Sequence, residues 1–67
     1  MELIINGEVI RVPEHVQTVD GLLAHFQLNH KIAIVELNGN IIQKQEYQAT
    51  ALCNGDRVEI VHFVGGG

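Results

Sequence analysis

The chain opens with two short apolar runs, residues 2–6 and 8–12, that meet at Asn6-Gly7. Asn-Gly between two such runs is the strongest short signal for a β-hairpin, because a type I′ turn requires positive φ at both central residues. Arg11 lies between Ile10 and Val12, so the alternation turns those two side chains toward a core. Pro13 breaks the hairpin. Thr18 then stands where a helix N-cap belongs, and Asp20 in the first turn suits the helix dipole. Val19, Leu22, Leu23 and Phe26 recur at helical spacing and form one apolar face. The spacing predicts a helix from Val19 to near Gln27, of about two to three turns. Gly21 weakens it by about 1 kcal/mol relative to alanine, and Asn29 is the expected terminator.

Residues 32–37 read as a third strand, with Ala33, Val35 and Leu37 toward the core and Glu36 toward solvent. Asn38-Gly39-Asn40 is a turn, after which Ile41-Ile42 re-enters the core. Residues 43–48 are polar apart from Tyr47 and suit a loop or a short helical turn. Residues 49–52 suggest a minor strand, Asn54-Gly55-Asp56 another turn, and residues 57–63 the last strand. This order predicts an α+β domain: a mixed sheet of four or five strands with one main helix on one face. The last strand can lie parallel beside the first in the centre, which is the β-grasp (ubiquitin-like) arrangement. The expected organisation is a β-grasp domain over residues 1–64 and a flexible glycine tail over 65–67.

The last strand carries an unusual pattern. Val58 and Ile60 alternate with Arg57 and Glu59, and continuing the period puts His62 on the core side and Val61 and Phe63 on the other. One helix covers one face of a sheet. Val61 and Phe63 are therefore candidates for an exposed apolar patch facing a partner, with Val64 beside them. The alternative is a strand that twists or ends and buries Phe63 at its rim.

Composition and charge narrow the function. A single short domain of 67 residues buries only a small core. One cysteine, Cys53, rules out an internal disulfide. The sequence is 46% hydrophobic with a net charge of -4, so a phosphate backbone would be repelled, and Arg11, Lys31, Lys44 and Arg57 form no basic run. Nucleic acid is not an expected partner. No apolar stretch approaches the roughly 20 residues that span a bilayer, and no signal-peptide pattern opens the chain. The expected location is cytoplasmic.

Conventional catalytic chemistry finds little to work with. His15, His25, His30 and His62 have no metal-ligand spacing and read as surface or rim residues. Cys53 reads as a small residue flanking a turn, with a reactive thiol as the lesser possibility. The carboxylates are spread along the chain, and no phosphate-binding loop precedes a helix. An enzyme acting by itself is not expected. There remains the Gly65-Gly66-Gly67 end. Terminal glycines are common as incidental ends. They also lack a Cβ, so they can thread a narrow channel and present the Gly67 carboxylate to an adenylating enzyme.

The chain resembles the ThiS family of sulfur carriers in thiamin biosynthesis over essentially its whole length. The likeness rests on the opening strand and Asn-Gly turn (3–7), Thr18-Val19 with Leu22-Leu23, the strand and return at 32–38 and 41–42, Tyr47, the run Gly55-Asp56-Arg57-Val58-Glu59-Ile60-Val61, and Gly66-Gly67. Lys44 stands where many members carry arginine, and Gly65 adds a third glycine. The resemblance implies a β-grasp fold. It also implies adenylation of Gly67 by a ThiF-type enzyme at the expense of ATP, with no stably bound cofactor. A sulfur donor system would then give a C-terminal thiocarboxylate, which supplies a ThiG-type thiazole synthase. A molybdopterin-type sulfur carrier and a ubiquitin-like protein modifier share this tail activation and are the alternatives.

Overall fold

The computed structural model describes residues 1–62. Glu2–Ile5 (β1) and Glu8–Arg11 (β2) form an antiparallel hairpin in which Leu3 faces Ile10 and Ile4 faces Val9. Asn6 and Gly7 take φ of 49° and 84°, and Asn38 and Gly39 repeat the device at 49° and 87°. Both turns have the positive φ at two successive residues that a tight hairpin demands, so asparagine and glycine are the residues that fit.

The helix Val19–His25 (α1) begins as its sequence predicts. The Thr18 Oγ1 accepts the Gly21 N–H at 3.1 Å, which satisfies one of the orphan donors of the first turn. Its end differs from expectation. α1 stops at His25, and Gln27 rather than Asn29 takes the left-handed conformation, with φ 58°. Leu28 N–H donates to the Leu23 carbonyl and Gln27 N–H to the Ala24 carbonyl, the paired bonds of a Schellman motif. Leu23 and Leu28 both pack on the core, so an apolar contact accompanies the motif and places the stop two residues earlier.

Ala33–Leu37 (β3) and Asn40–Ile42 (β4) form the second hairpin, and Arg57–His62 (β5) completes a five-stranded sheet in the order β2-β1-β5-β3-β4. β5 runs parallel to β1 and antiparallel to β3, so the last strand lies in the centre as expected. Val19, Leu22 and Leu23 of α1 share a core with Leu3, Ile5, Val12, Val16, Ala33, Val35, Tyr47, Leu52 and Val58.

The short third quarter of the chain follows its pattern less closely. Only Ile42 packs against the core, while Ile41 is 65% exposed on the outer face of the sheet. Residues 49–52 form no strand beyond a bridge between Thr18 and Ala51, although Leu52 is buried. Lys44–Glu46 is a single 3₁₀ turn whose purpose is seen in the next residue. It delivers Tyr47 into the core, where the phenolic hydroxyl donates to the Ala33 carbonyl at 2.8 Å. A buried tyrosine needs a partner for its polar end, and β3 provides it.

Candidate functional site

The sheet has two unlike faces because only one is covered by α1. On the covered face of β5, Val58 is fully buried, Ile60 packs against the core, and His62 is half-buried. On the open face, Val61 is 51% exposed and sits opposite Ile34 of β3, which is 42% exposed. Val61 therefore points where its alternation predicts. Ile34, Ile32 and Ile41 extend the exposed apolar surface onto β3 and β4. Glu36 and Glu59 face each other across the same two strands. Among the described residues the one ion pair is Arg11–Glu2, at the other edge of the sheet. The open face thus joins apolar side chains to a pair of like charges, a combination that a sheet does not adopt for its own stability.

Side-chain bonds and strand pairing both hold β5 toward its C-terminal end. Its backbone pairing with β1 ends at Ile5–Val58, with a last bond from Asn6 N–H to the Val58 carbonyl at 2.9 Å. Beyond that point the chain of β1 turns away into the hairpin. The Asn6 side chain then takes over. Its Nδ2 donates to the Ile60 carbonyl at 3.1 Å, and its Oδ1 accepts the Ile60 N–H at 2.8 Å. On the other edge, pairing with β3 continues to Ala33–His62. His62 Nε2 also accepts the Asn29 N–H at 3.1 Å, which requires that nitrogen to be unprotonated. Ile5, Asn6, Ile10, Phe26, Leu28, Ile60 and His62 line a shallow groove of about 390 Å³ here. His62 lies in the last strand on its core side, as the alternation predicts, whereas nothing in the sequence marks Asn6 as a member of this end of β5. Asn6 reads as a turn residue, and the turn signal conceals its second use.

Among the described residues no group of three or more histidine, cysteine or carboxylate side chains could hold a metal ion. Cys53 is exposed and has no disulfide partner. Among the described residues no helix is long and apolar enough to cross a membrane. Lys44 Nζ reaches the Lys31 carbonyl, so this lysine ties the 3₁₀ turn to the approach to β3. Phe63, Val64, Gly65, Gly66 and Gly67 lie outside the described residues.

Known proteins resemble the chain in both sequence and fold. The model of the ThiS family matches residues 3–67. The sulfur carrier protein ThiS of Bacillus subtilis (strain 168) is 48% identical over 63 residues, which cover 94% of this chain and 96% of that protein. A thiazole synthase of Paramagnetospirillum magneticum (strain ATCC 700264 / AMB-1) is 39% identical over the full 67 residues, which make up 20% of that larger protein. The crystal structure of the thiamine biosynthesis protein ThiS from Geobacter metallireducens matches with a TM-score of 0.83 and 33% identity, each chain being covered completely. With a β-grasp sheet whose central strand leads into the glycines, and with family similarity along nearly all its length, the chain belongs to the ThiS family, the sulfur carriers of thiamin biosynthesis.

Proposed function

We propose that the Gly67 carboxylate is the group that carries the sulfur, and that Gly65 and Gly66 are the thread that delivers it. The observation that carries this reading is the family match, which runs through residue 67. A carboxylate is a poor acyl donor because its oxygen is a poor leaving group. A ThiF-type enzyme overcomes this by joining a Gly67 oxygen to the α-phosphorus of ATP, with release of pyrophosphate. A nucleophilic sulfur at the sulfide level then attacks the acyl carbon, AMP departs, and the thiocarboxylate remains. ATP is consumed by the partner and the chain holds no cofactor of its own. In this scheme the chain is a carrier and co-substrate rather than a catalyst, and the dependence on ATP supports a cytoplasmic location over an extracellular one.

The acceptor of the sulfur is a ThiG-type thiazole synthase. Polypeptides named thiazole synthase in two organisms contain a segment similar to the whole of this chain. Joining carrier and synthase in one molecule raises their effective concentration for each other, which supports their working as a pair. The same observation favours the thiamin branch over a molybdopterin-type carrier or a protein modifier. Val61 contributes to the partner surface from the open face of β5, and Phe63 and Val64, which follow it in sequence, are assigned to the same contact.

Intact mass spectrometry after incubation with the adenylating enzyme, ATP and a sulfide source tests the central claim. The expected product has one oxygen replaced by sulfur and localises to Gly67 on fragmentation. An unchanged mass alongside an active enzyme, or full function in a chain extended past Gly67, would overturn it.

A further inference from the structure

We propose that Asn6 is a positioning residue for the reactive tail: its side chain grips Ile60 and secures the β1-side edge of β5, the strand that stays paired with β3 as far as His62 and continues in sequence toward Gly67. The inference rests on the proposed role of Gly67 and goes beyond it, to the device that aims it.

A parallel strand needs a donor and an acceptor from its neighbour at every second residue. At Ile60 that neighbour has gone, because β1 has already turned at Asn6-Gly7. A side-chain amide carries the same donor and acceptor as a peptide group. Asn6 supplies both, at 3.1 Å and 2.8 Å, and so extends the ladder on this edge from Val58 to Ile60. The position has two separate requirements. The φ of 49° admits asparagine, aspartate or glycine with little strain. The two bonds to Ile60 admit only an amide, since ionised aspartate cannot donate and glycine has no side chain. Asparagine is the residue that meets both.

The consequence concerns the tail. Each residue that frays from the end of β5 lengthens the thread by up to about 3.5 Å. The concentration of its tip at a docked enzyme's active site falls as the −3/2 power of thread length or more steeply. Holding Ile60 therefore favours productive entry of the tail without touching the reacting atoms.

Asn38 provides a matched comparison. It occupies the Asn-Gly turn of the second hairpin with the same φ, and its Oδ1 accepts the Arg57 N–H at 2.9 Å, at the start of β5 rather than its end. Asn6→Gly and Asn38→Gly both keep a turn-competent residue and both remove a side-chain grip on β5. Adenylation is followed as pyrophosphate release at varied carrier concentration with a ThiF-type enzyme, and amide hydrogen exchange is followed by NMR. Asn6→Gly is expected to raise KM for the carrier about twofold or more, with kcat unchanged within error. Its Ile60 amide should lose about tenfold or more of its exchange protection. Asn38→Gly should leave KM within experimental error of the wild type even where it lowers Tm as much. Asn6→Asp, which retains the acceptor for the Ile60 N–H, should fall between wild type and Asn6→Gly and serves if the glycine variant does not fold. An unchanged KM in a folded Asn6→Gly whose Ile60 amide exchanges freely would overturn the proposal, as would an equal rise in KM for Asn38→Gly. Failure of the wild-type chain to be adenylated at all would instead count against Gly67 as the reactive group, and would be distinguishable from both.

Discussion

Thr18 and Tyr47 each satisfy one backbone group, yet they differ in how much depends on them. Thr18 Oγ1 caps the first turn of α1 at its partly buried start. Replacing an N-cap threonine by alanine leaves an orphan N–H, and Thr18→Ala should cost about 1 kcal/mol. Thr18→Ser should cost much less, because it keeps the oxygen. Urea denaturation of the three proteins separates them. Tyr47 is only 2% exposed, and its hydroxyl is the partner of the Ala33 carbonyl. Tyr47→Phe preserves the ring packing and removes that donor, so the loss should be about 1–2 kcal/mol with an unchanged fold. A destabilisation as large as that of Tyr47→Ala would show that the ring geometry, and not the hydrogen bond, depends on the hydroxyl.

Element ends in this chain are set by capping geometry more than by the apolar stripe. Val19, Leu22, Leu23 and Phe26 define the helical face correctly, but the stripe does not say where α1 stops. The stop is Gln27 at φ 58°, a conformation in which a residue with a Cβ is strained. Gln27→Gly keeps both bonds of the Schellman motif and relieves that strain. It should stabilise the domain by about 0.5–1 kcal/mol, the usual gain at a left-handed C′ position after the entropy of glycine is counted. Thermal and urea unfolding would reveal it, and a loss of stability would mean that the glutamine side chain makes a contribution of its own. β5 is the other element whose ends matter. Its start is held by Asn38 and its later part by Asn6 and β3, so a strand in the middle of the sheet is secured at both ends by residues from two different hairpins.

At the scale of the whole molecule, one helix on a five-stranded sheet leaves half the sheet open. On that open face Val61 and Ile34 lie side by side, half exposed, next to the end of β5 that continues to the glycines. Such a surface contributes little to folding and is available to a partner. Val61→Thr, which keeps a β-branched side chain in the central strand, should therefore change stability by less than about 0.5 kcal/mol and weaken binding to the proposed activating enzyme several-fold, as expected for a contact at the core of an interface. Calorimetric titration and thermal unfolding of the same variant give both numbers. A large fall in Tm with unchanged binding would place Val61 in the core rather than at a contact.

Local physics determines much of this protein within the sequence itself. The Asn-Gly turns of the two hairpins, the Thr18 cap, the apolar face of α1 and the alternation that exposes Val61 all depend on neighbours a few residues away, and each is legible for that reason. The β-grasp order follows because a hairpin, a helix and a final apolar strand have few ways to share one core. The glycine end stands out in the sequence because no other cluster of residues suggests chemistry, and its sulfur-carrying role is proposed from the family match. Other features depend on contacts between distant segments. Tyr47 looks like one aromatic in a polar loop until β3 offers it a carbonyl. Ile41 looks like core until the single helix proves to cover the opposite face. Asn6 and His62 become part of one site only when β5 inserts beside β1 and the Asn29 N–H meets the imidazole. Their partners lie 54 and 33 residues away along the chain, a separation that only the folded sheet closes.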